Sequence, residues 1–424
     1  MVRHFGRGAG RIAARSVRRG GIEAWHGLRY GRLSDPGNPR SAVVPAEGQI
    51  PAGDLSAVPV FPQLPSRLER VMGPGIRDNP QDHEAFFLNV WAPEAARDLP
   101  VLVFLHGGAW VSGGGSARWY RGERLAGEGM VVVTLNYRLG PAGHFEDGQG
   151  GDHRPIGDLL AALAWVQANI GAFGGDPGRV TLAGQSAGAW YAWALAGLEA
   201  ARGLFRRVAL LSIPRIRPWT PEHRQALTQE AEALARELEA ENPLGQALLQ
   251  AGAQVLARQP HAPGTIPPMY LPVWPDDCAD AATPLYAEAL YIRVTGQEMS
   301  VFLPPGSTDE TVARASGEVF GAFAEEIALA AEARGISAVR RSFAARSGIP
   351  GLGAAHCFDL PFQFGNPADW QDAPMLAGWP PDAFRRLGDT VIADLAAFVA
   401  GRPQPPRGTF GQGDGPQFPE RPQE

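Results

Sequence analysis

The chain has 424 residues, 45% of them hydrophobic, with 53 glycines and 39 prolines. That supplies a large core, either as one big α/β domain with insertions or as two average domains. A formal net charge of −6 argues against nucleic acid as the main partner. Two cysteines, Cys278 and Cys357, are too few for a disulfide framework or a four-ligand metal site, and free thiols suit a reducing compartment.

In chain order, residues 1–21 gather Arg3, Arg7, Arg11, Arg15, Arg18 and Arg19 with no acid, which predicts a basic, flexible lead-in. The stretch lacks the apolar core of a secretory signal. No apolar run reaches the roughly 18 residues that cross a bilayer, so a cytoplasmic protein without a membrane span is expected. Strands are predicted at 88–91, 101–105 and 130–135. A helix is predicted over 156–170, where Ile156, Leu159, Leu160, Leu163, Val166 and Ile170 recur at helical spacing. A short strand over 180–183 runs into a helix over 187–198, and 208–212 is a further strand. Continuous apolar strands alternating with amphipathic helices predict a mostly parallel central sheet with helices on both faces.

After Pro214 the texture changes. Charged, alanine-rich helices are predicted at 221–241 and 244–258, followed by a proline-dense stretch to 275. This insertion, 213–285, reads as a cap over the site or as a plain surface helix pair. Residues 291–294 return to strand, helices are expected through 311–345, and 383–400 forms a last amphipathic helix. A single domain over 22–402 is therefore expected, with a disordered Pro/Gly/Gln-rich tail over 403–424.

The chemistry centres on Gly184-Gln185-Ser186-Ala187-Gly188. G-x-S-x-G between a strand and a helix is the nucleophile elbow of α/β-hydrolases, which holds a serine hydroxyl exposed on a sharp turn. Acyl transfer also needs a base, an acid to orient it and donors for the oxyanion. His106-Gly107-Gly108-Ala109-Trp110 follows directly on a strand, and its small residues let backbone N–H groups face a developing negative charge. These folds order their triad Ser, acid, His. Of the late histidines, His356 has the loop setting a base needs, whereas His261 precedes any suitable acid.

Together these residues resemble the type B carboxylesterase family, which includes the cholinesterases and bacterial p-nitrobenzyl esterase. The resemblance is carried by Trp25-His26-Gly27-Leu28-Arg29-Tyr30-Gly31, Leu88-Asn89-Val90-Trp91-Ala92-Pro93 and Asn136-Tyr137-Arg138-Leu139-Gly140. It continues through Phe173-Gly174-Gly175-Asp176-Pro177 into the elbow, and through Gly353-Ala354-Ala355-His356 to Asp359-Leu360-Pro361-Phe362. It implies an α/β-hydrolase fold with a helical cap insertion, and hydrolysis of a small-molecule carboxylic ester through an acyl-serine intermediate. By position it implies Ser186 as nucleophile, His356 as general base, and an oxyanion hole from the N–H groups of Gly108, Ala109 and Ala187. It implies no cofactor, no metal and no nucleic-acid partner, and it leaves the oligomeric state open.

The family's acid maps best onto Glu298, which follows a strand and keeps a phenylalanine, Phe302, four residues on. Glu310 or Asp309, in Gly306-Ser307-Thr308-Asp309-Glu310, competes for the role. Three departures stand out. Gln185 replaces the family's glutamate before the nucleophile, and 82–86 lacks its usual cysteine. The interval from Glu298 to His356 is shorter than usual, implying a reduced cap and a more open site for modest esters. Trp110, Trp119 and Phe302 are candidate pocket aromatics. An amide or carbamate hydrolase with the same machinery, or a non-catalytic binding protein on this fold, are the competing readings.

Overall fold

A computed structural model of the chain describes residues 2–6, 12–146, 153–238, 246–261, 265–273 and 285–412. Its frame is an eleven-stranded sheet. In chain order the strands are β1 (Val2–Phe5), β2 (Ile12–Arg15), β3 (Val17–Arg19), β4 (Ile22–Leu33), β5 (Val43–Gln49), β6 (Phe87–Pro93) and β7 (Leu99–Leu105). There follow β8 (Val131–Leu135), β9 (Gly175–Gln185), β10 (Arg207–Leu211), β11 (Ala289–Thr295), β12 (Ser337–Phe343) and β13 (Arg407–Phe410). Spatial order is β13-β12-β11-β10-β9-β7-β8-β6-β4-β3, with β5 also on β4, while β1 and β2 form a separate antiparallel pair. Every pairing from β8 across to β13 is parallel, and those among β3, β4, β5, β6 and β8 are antiparallel.

The reason for this architecture is visible in β7. Its side chains alternate between two apolar layers: Val101, Val103 and Leu105 join one cluster, Leu102 and Phe104 the other. A strand apolar on both faces must be covered twice. The helices Arg154–Asn169 and Ala187–Ala196 cover the first layer, and the helix Pro381–Val399 covers the second. Each such buried Val, Leu or Phe contributes about 1.5–3 kcal/mol to the fold. The segment 154–173 is long and apolar enough to cross a membrane by composition alone, yet 56% of its window is buried inside this core.

Three expectations are revised by the structure. The described part of the basic lead-in, residues 2–6 and 12–21, is folded: β3 zips onto β4, and Phe5 packs edge-on against Trp165 at 5.4 Å. Its arginines look unpaired only locally, because Arg3 and Arg18 meet the buried Glu23 carboxylate supplied by β4. The tail expected over 403–424 begins with β13, which pairs in parallel with β12; residues 413–424 lie outside the described set. Residues 311–345 are not helical throughout. The helix Asp309–Ser316 passes through one π-helical turn, Gly317–Gly321, into the helix Ala322–Glu332, after which Gly335 (φ 77°) breaks the run. β12 then inserts between β11 and β13, its Val339 and Phe343 buried on one face. In the insertion the helices are Pro221–Leu238 and Gln246–Arg258, packed on each other, and the stretch carrying Cys278 is not among the described residues.

Candidate active site

Ser186 is the first residue after β9 and the N-cap of the helix Ala187–Ala196. Its backbone sits at φ 56°, ψ −120°, a conformation that costs a non-glycine residue on the order of 1–3 kcal/mol and needs surrounding structure to hold it. That support comes from the Ser186 N–H donating to the Leu211 carbonyl at 2.9 Å, and from two glycines. A Cβ on Gly188 would run into the carbonyl oxygens of Leu105 and His106, and one on Gly184 into the carbonyl of Gly188. Gly188→Val should therefore lower the thermal midpoint or abolish soluble expression, whereas Gly157→Ala, at an open position on a helix, should not. Differential scanning fluorimetry of the two variants checks this.

The loop after β12 carries His356, and the loop after β11 carries Glu298. The two are tied by the Gln297 N–H donating to the Ala354 carbonyl at 2.9 Å and the His356 N–H to the Glu298 carbonyl at 3.3 Å. This brings His356 Nδ1 to 2.6 Å from Glu298 Oε2 and His356 Nε2 to 2.8 Å from Ser186 Oγ. A carboxylate only accepts, so Nδ1 holds the ring proton and Nε2 is free to accept from the serine hydroxyl. The other carboxylate oxygen, Oε1, accepts the Thr295 N–H at 2.7 Å, which leaves Glu298 little freedom to rotate. Glu298 and His356 are 1% and 2% exposed, so solvent does not screen the pair. Burial opposes the imidazolium, but the adjacent Cys357 sulfur and the Glu298 carboxylate outweigh it and hold His356 well above its usual value. Asp309 and Glu310 are exposed in the first turn of the helix Asp309–Ser316, apart from this chain of contacts.

The loop after β7 faces Ser186 from the other side. A Cβ on Gly107 would strike the Gln185 side-chain oxygen, and Gly108 (φ 123°) and Ala109 (φ 55°) turn the backbone sharply. Among the described residues, the N–H groups of Gly108, Ala109 and Ala187 have no backbone acceptor. His106 braces this loop. Its ring stacks on Tyr137 with centroids 4.3 Å apart, and its carbonyl accepts the Tyr137 hydroxyl at 2.5 Å. Burial lowers its pKa to about 4, so it stays neutral and adds no charge beside the serine.

Several contributors were not read from the sequence. Phe320, delivered by the π turn, lies against the His356 ring with centroids 5.1 Å apart, beside the expected Phe302 at 5.4 Å. Arg293 Nε donates to Asp359 at 2.9 Å and Arg293 Nη1 to the Gln363 side chain at 2.6 Å, fastening the histidine loop to β11. The available signal was an arginine inside an apolar strand, which requires a buried partner. Gln185 donates to the Cys357 sulfur at 3.3 Å and sits 3.3 Å from His356 Nε2. Of the three candidate pocket aromatics only Phe302 reaches the cavity. Trp110 packs edge-on against Trp190 and Tyr191, and Trp119 stacks on Trp370.

Ser186 and His356 open onto a cavity of about 360 Å³, walled by Leu249, Leu256 and Tyr270 from the 213–285 insertion and by Val301 and Phe302 opposite. A larger depression of about 650 Å³, beside Trp370 and Trp379, contains none of these polar groups. Among the described residues no group of three or more His, Cys, Asp or Glu could hold a metal.

Sheet order, elbow and facing glycine loop together define the α/β-hydrolase class. Residues 58–259 match the model of the Carboxylesterase family. The chain is 33% identical over 412 residues to a probable N-octanoylanthranilate hydrolase of Rhodococcus erythropolis, spanning 90% of this chain and 89% of that protein. It is 45% identical over 139 residues to para-nitrobenzyl esterase of Bacillus subtilis, spanning 31% of this chain and 28% of that one. A solved PNB esterase superposes with a TM-score of 0.80 at 24% identity, over 95% of this chain and 92% of that one. The chain belongs to the carboxylesterase family and is an ester hydrolase.

Proposed function

We propose that this protein cleaves small carboxylic esters through an acyl-Ser186 intermediate. The carrying observation is the continuous chain from Ser186 Oγ through His356 to Glu298, at 2.8 and 2.6 Å, on the wall of an apolar cavity. In this reading His356 Nε2 takes the serine proton as Oγ attacks the ester carbonyl. The oxyanion accepts from the N–H groups of Gly108, Ala109 and Ala187, and the imidazolium returns its proton to the leaving alkoxide. Water then repeats the cycle on the acyl-enzyme and releases the acid. Glu298 stabilises the transient imidazolium without taking its proton. The insertion helices act as a cap that closes the acyl side of the cavity.

A second reading, hydrolysis of an amide by the same residues, is favoured by the relative named for N-octanoylanthranilate. It differs in protonation of a leaving nitrogen by His356. A series of p-nitrophenyl esters of increasing acyl length, run beside matched p-nitroanilides, separates the two. Esters of medium chain length should be turned over fastest, because the wall is aliphatic and the volume moderate. Turnover of anilides alone would replace the first reading with the second, and absence of both would remove enzymatic function from the proposal.

A further inference from the structure

The cavity beside Ser186 carries a charge pattern opposite to that of the whole chain. Its described lining contains Arg67 and Arg70 and no aspartate or glutamate, in a protein whose formal net charge is −6. Both arginines come from one short segment at the mouth and both are exposed. Arg70 Nη2 donates to the Val301 carbonyl at 2.6 Å, which ties its guanidinium to the wall that also carries Phe302. Neither arginine has an ion-pair partner among the described residues. Nearby acids are already engaged elsewhere: Glu69 pairs with Arg77 at 2.6 Å, and Asp372 with Arg118. Two guanidiniums with no ion-pair partner among the described residues therefore stand at the entrance to an otherwise apolar chamber, each able to present a planar donor fork to a carboxylate.

Building on the esterase reading, we propose that the substrates are esters carrying a second, anionic group, a carboxylate in the first instance. That group reaches the cavity mouth while the apolar portion fills the chamber, and Arg67 and Arg70 are the specificity-determining residues. The reaction itself is unchanged: water is consumed, the acyl–oxygen bond breaks, and one acid and one alcohol leave. The carboxylate at the mouth takes part only in recognition. Because both guanidiniums are solvated, their attraction is screened by salt, unlike the buried contacts around His356.

The test uses matched ester pairs that differ by one remote carboxylate: phenyl butyrate against 3-carboxyphenyl butyrate, and p-nitrophenyl butyrate against p-nitrophenyl hemiglutarate. The readout is the anionic-to-neutral ratio of kcat/KM within each variant, so general losses of activity cancel. At least one pair should favour the anionic member in the wild type, and Arg67→Ala with Arg70→Ala should cut that ratio about tenfold. Arg67→Glu should reverse the preference. Raising salt from about 0.05 to about 0.5 M should shrink the wild-type ratio and leave that of the double variant unmoved. A ratio within about twofold of wild type in both variants, for both pairs, would overturn the assignment, since that lies below the worth of even a modest ion pair. Calorimetric binding of the intact esters to Ser186→Ala protein repeats the comparison without turnover. If the wild type hydrolyses nothing, the esterase reading fails, and the binding ratios still decide whether the mouth recognises anions.

Discussion

Ser186→Ala is expected to reduce ester hydrolysis by about 10⁵-fold or more while leaving the fold intact, because removing the nucleophile leaves only binding and oxyanion stabilisation. The substitution deletes one oxygen and keeps the Cβ, so the backbone at φ 56° meets the same sterics as before and the 2.9 Å bond to Leu211 is retained. The thermal midpoint should stay within a few degrees of wild type. Turnover of p-nitrophenyl butyrate provides the rate. Peptide mass mapping after treatment with phenylmethylsulfonyl fluoride provides the site: the adduct should fall on the peptide containing Ser186 and vanish in the variant. Substantial activity in a well-folded variant would mean that another group carries the acyl transfer.

The parts of this arrangement that were legible in the sequence are those imposed by sterics over a few residues. Gly184 and Gly188 could be read because a strand turning into a helix leaves no room for a Cβ at either position. The apolar strands 101–105 and 130–135 could be read because a doubly covered strand has no polar face. What escaped was set by partners distant in the chain. β12 hides behind alanine-rich helices, and its pairing with β11 depends on residues some fifty positions apart. Phe320 reaches His356 only because a π turn rotates the chain after Ser316, a geometry with no marker in local composition. Residues 1–21 read as a basic, flexible lead-in because the acid that neutralises two of its arginines, Glu23, belongs to the next strand. For the acid, Glu298 maps best on its strand and its phenylalanine four residues on, while Glu310 or Asp309 competes for the role. Only the hydrogen bonds between the loops after β11 and β12 distinguish them in space.

That distinction leads to the second large effect. Glu298→Gln should lower kcat by roughly 10³–10⁴-fold, because a neutral amide neither fixes the Nδ1–H tautomer nor stabilises the imidazolium formed in the transition state. It should also move the pH profile in a defined direction. The base must be neutral to accept the serine proton, so kcat/KM falls as pH drops through the His356 pKa. In the wild type that pKa is raised: burial pulls it down, and Cys357 with the Glu298 carboxylate pulls it up further. Removing the carboxylate charge leaves burial with less opposition, so the acidic limb should shift to lower pH even as the plateau drops. Glu310→Gln, on an exposed helix turn, should change neither plateau nor limb. Measuring kcat/KM from about pH 5 to about pH 9 for the three proteins reads both effects at once, over the range in which histidine titrates. A limb that stayed in place while the plateau fell would assign Glu298 to orientation of the ring alone. A fall confined to Glu310→Gln would instead move the acid to the helix Asp309–Ser316, against the 2.6 Å contact between Glu298 and His356.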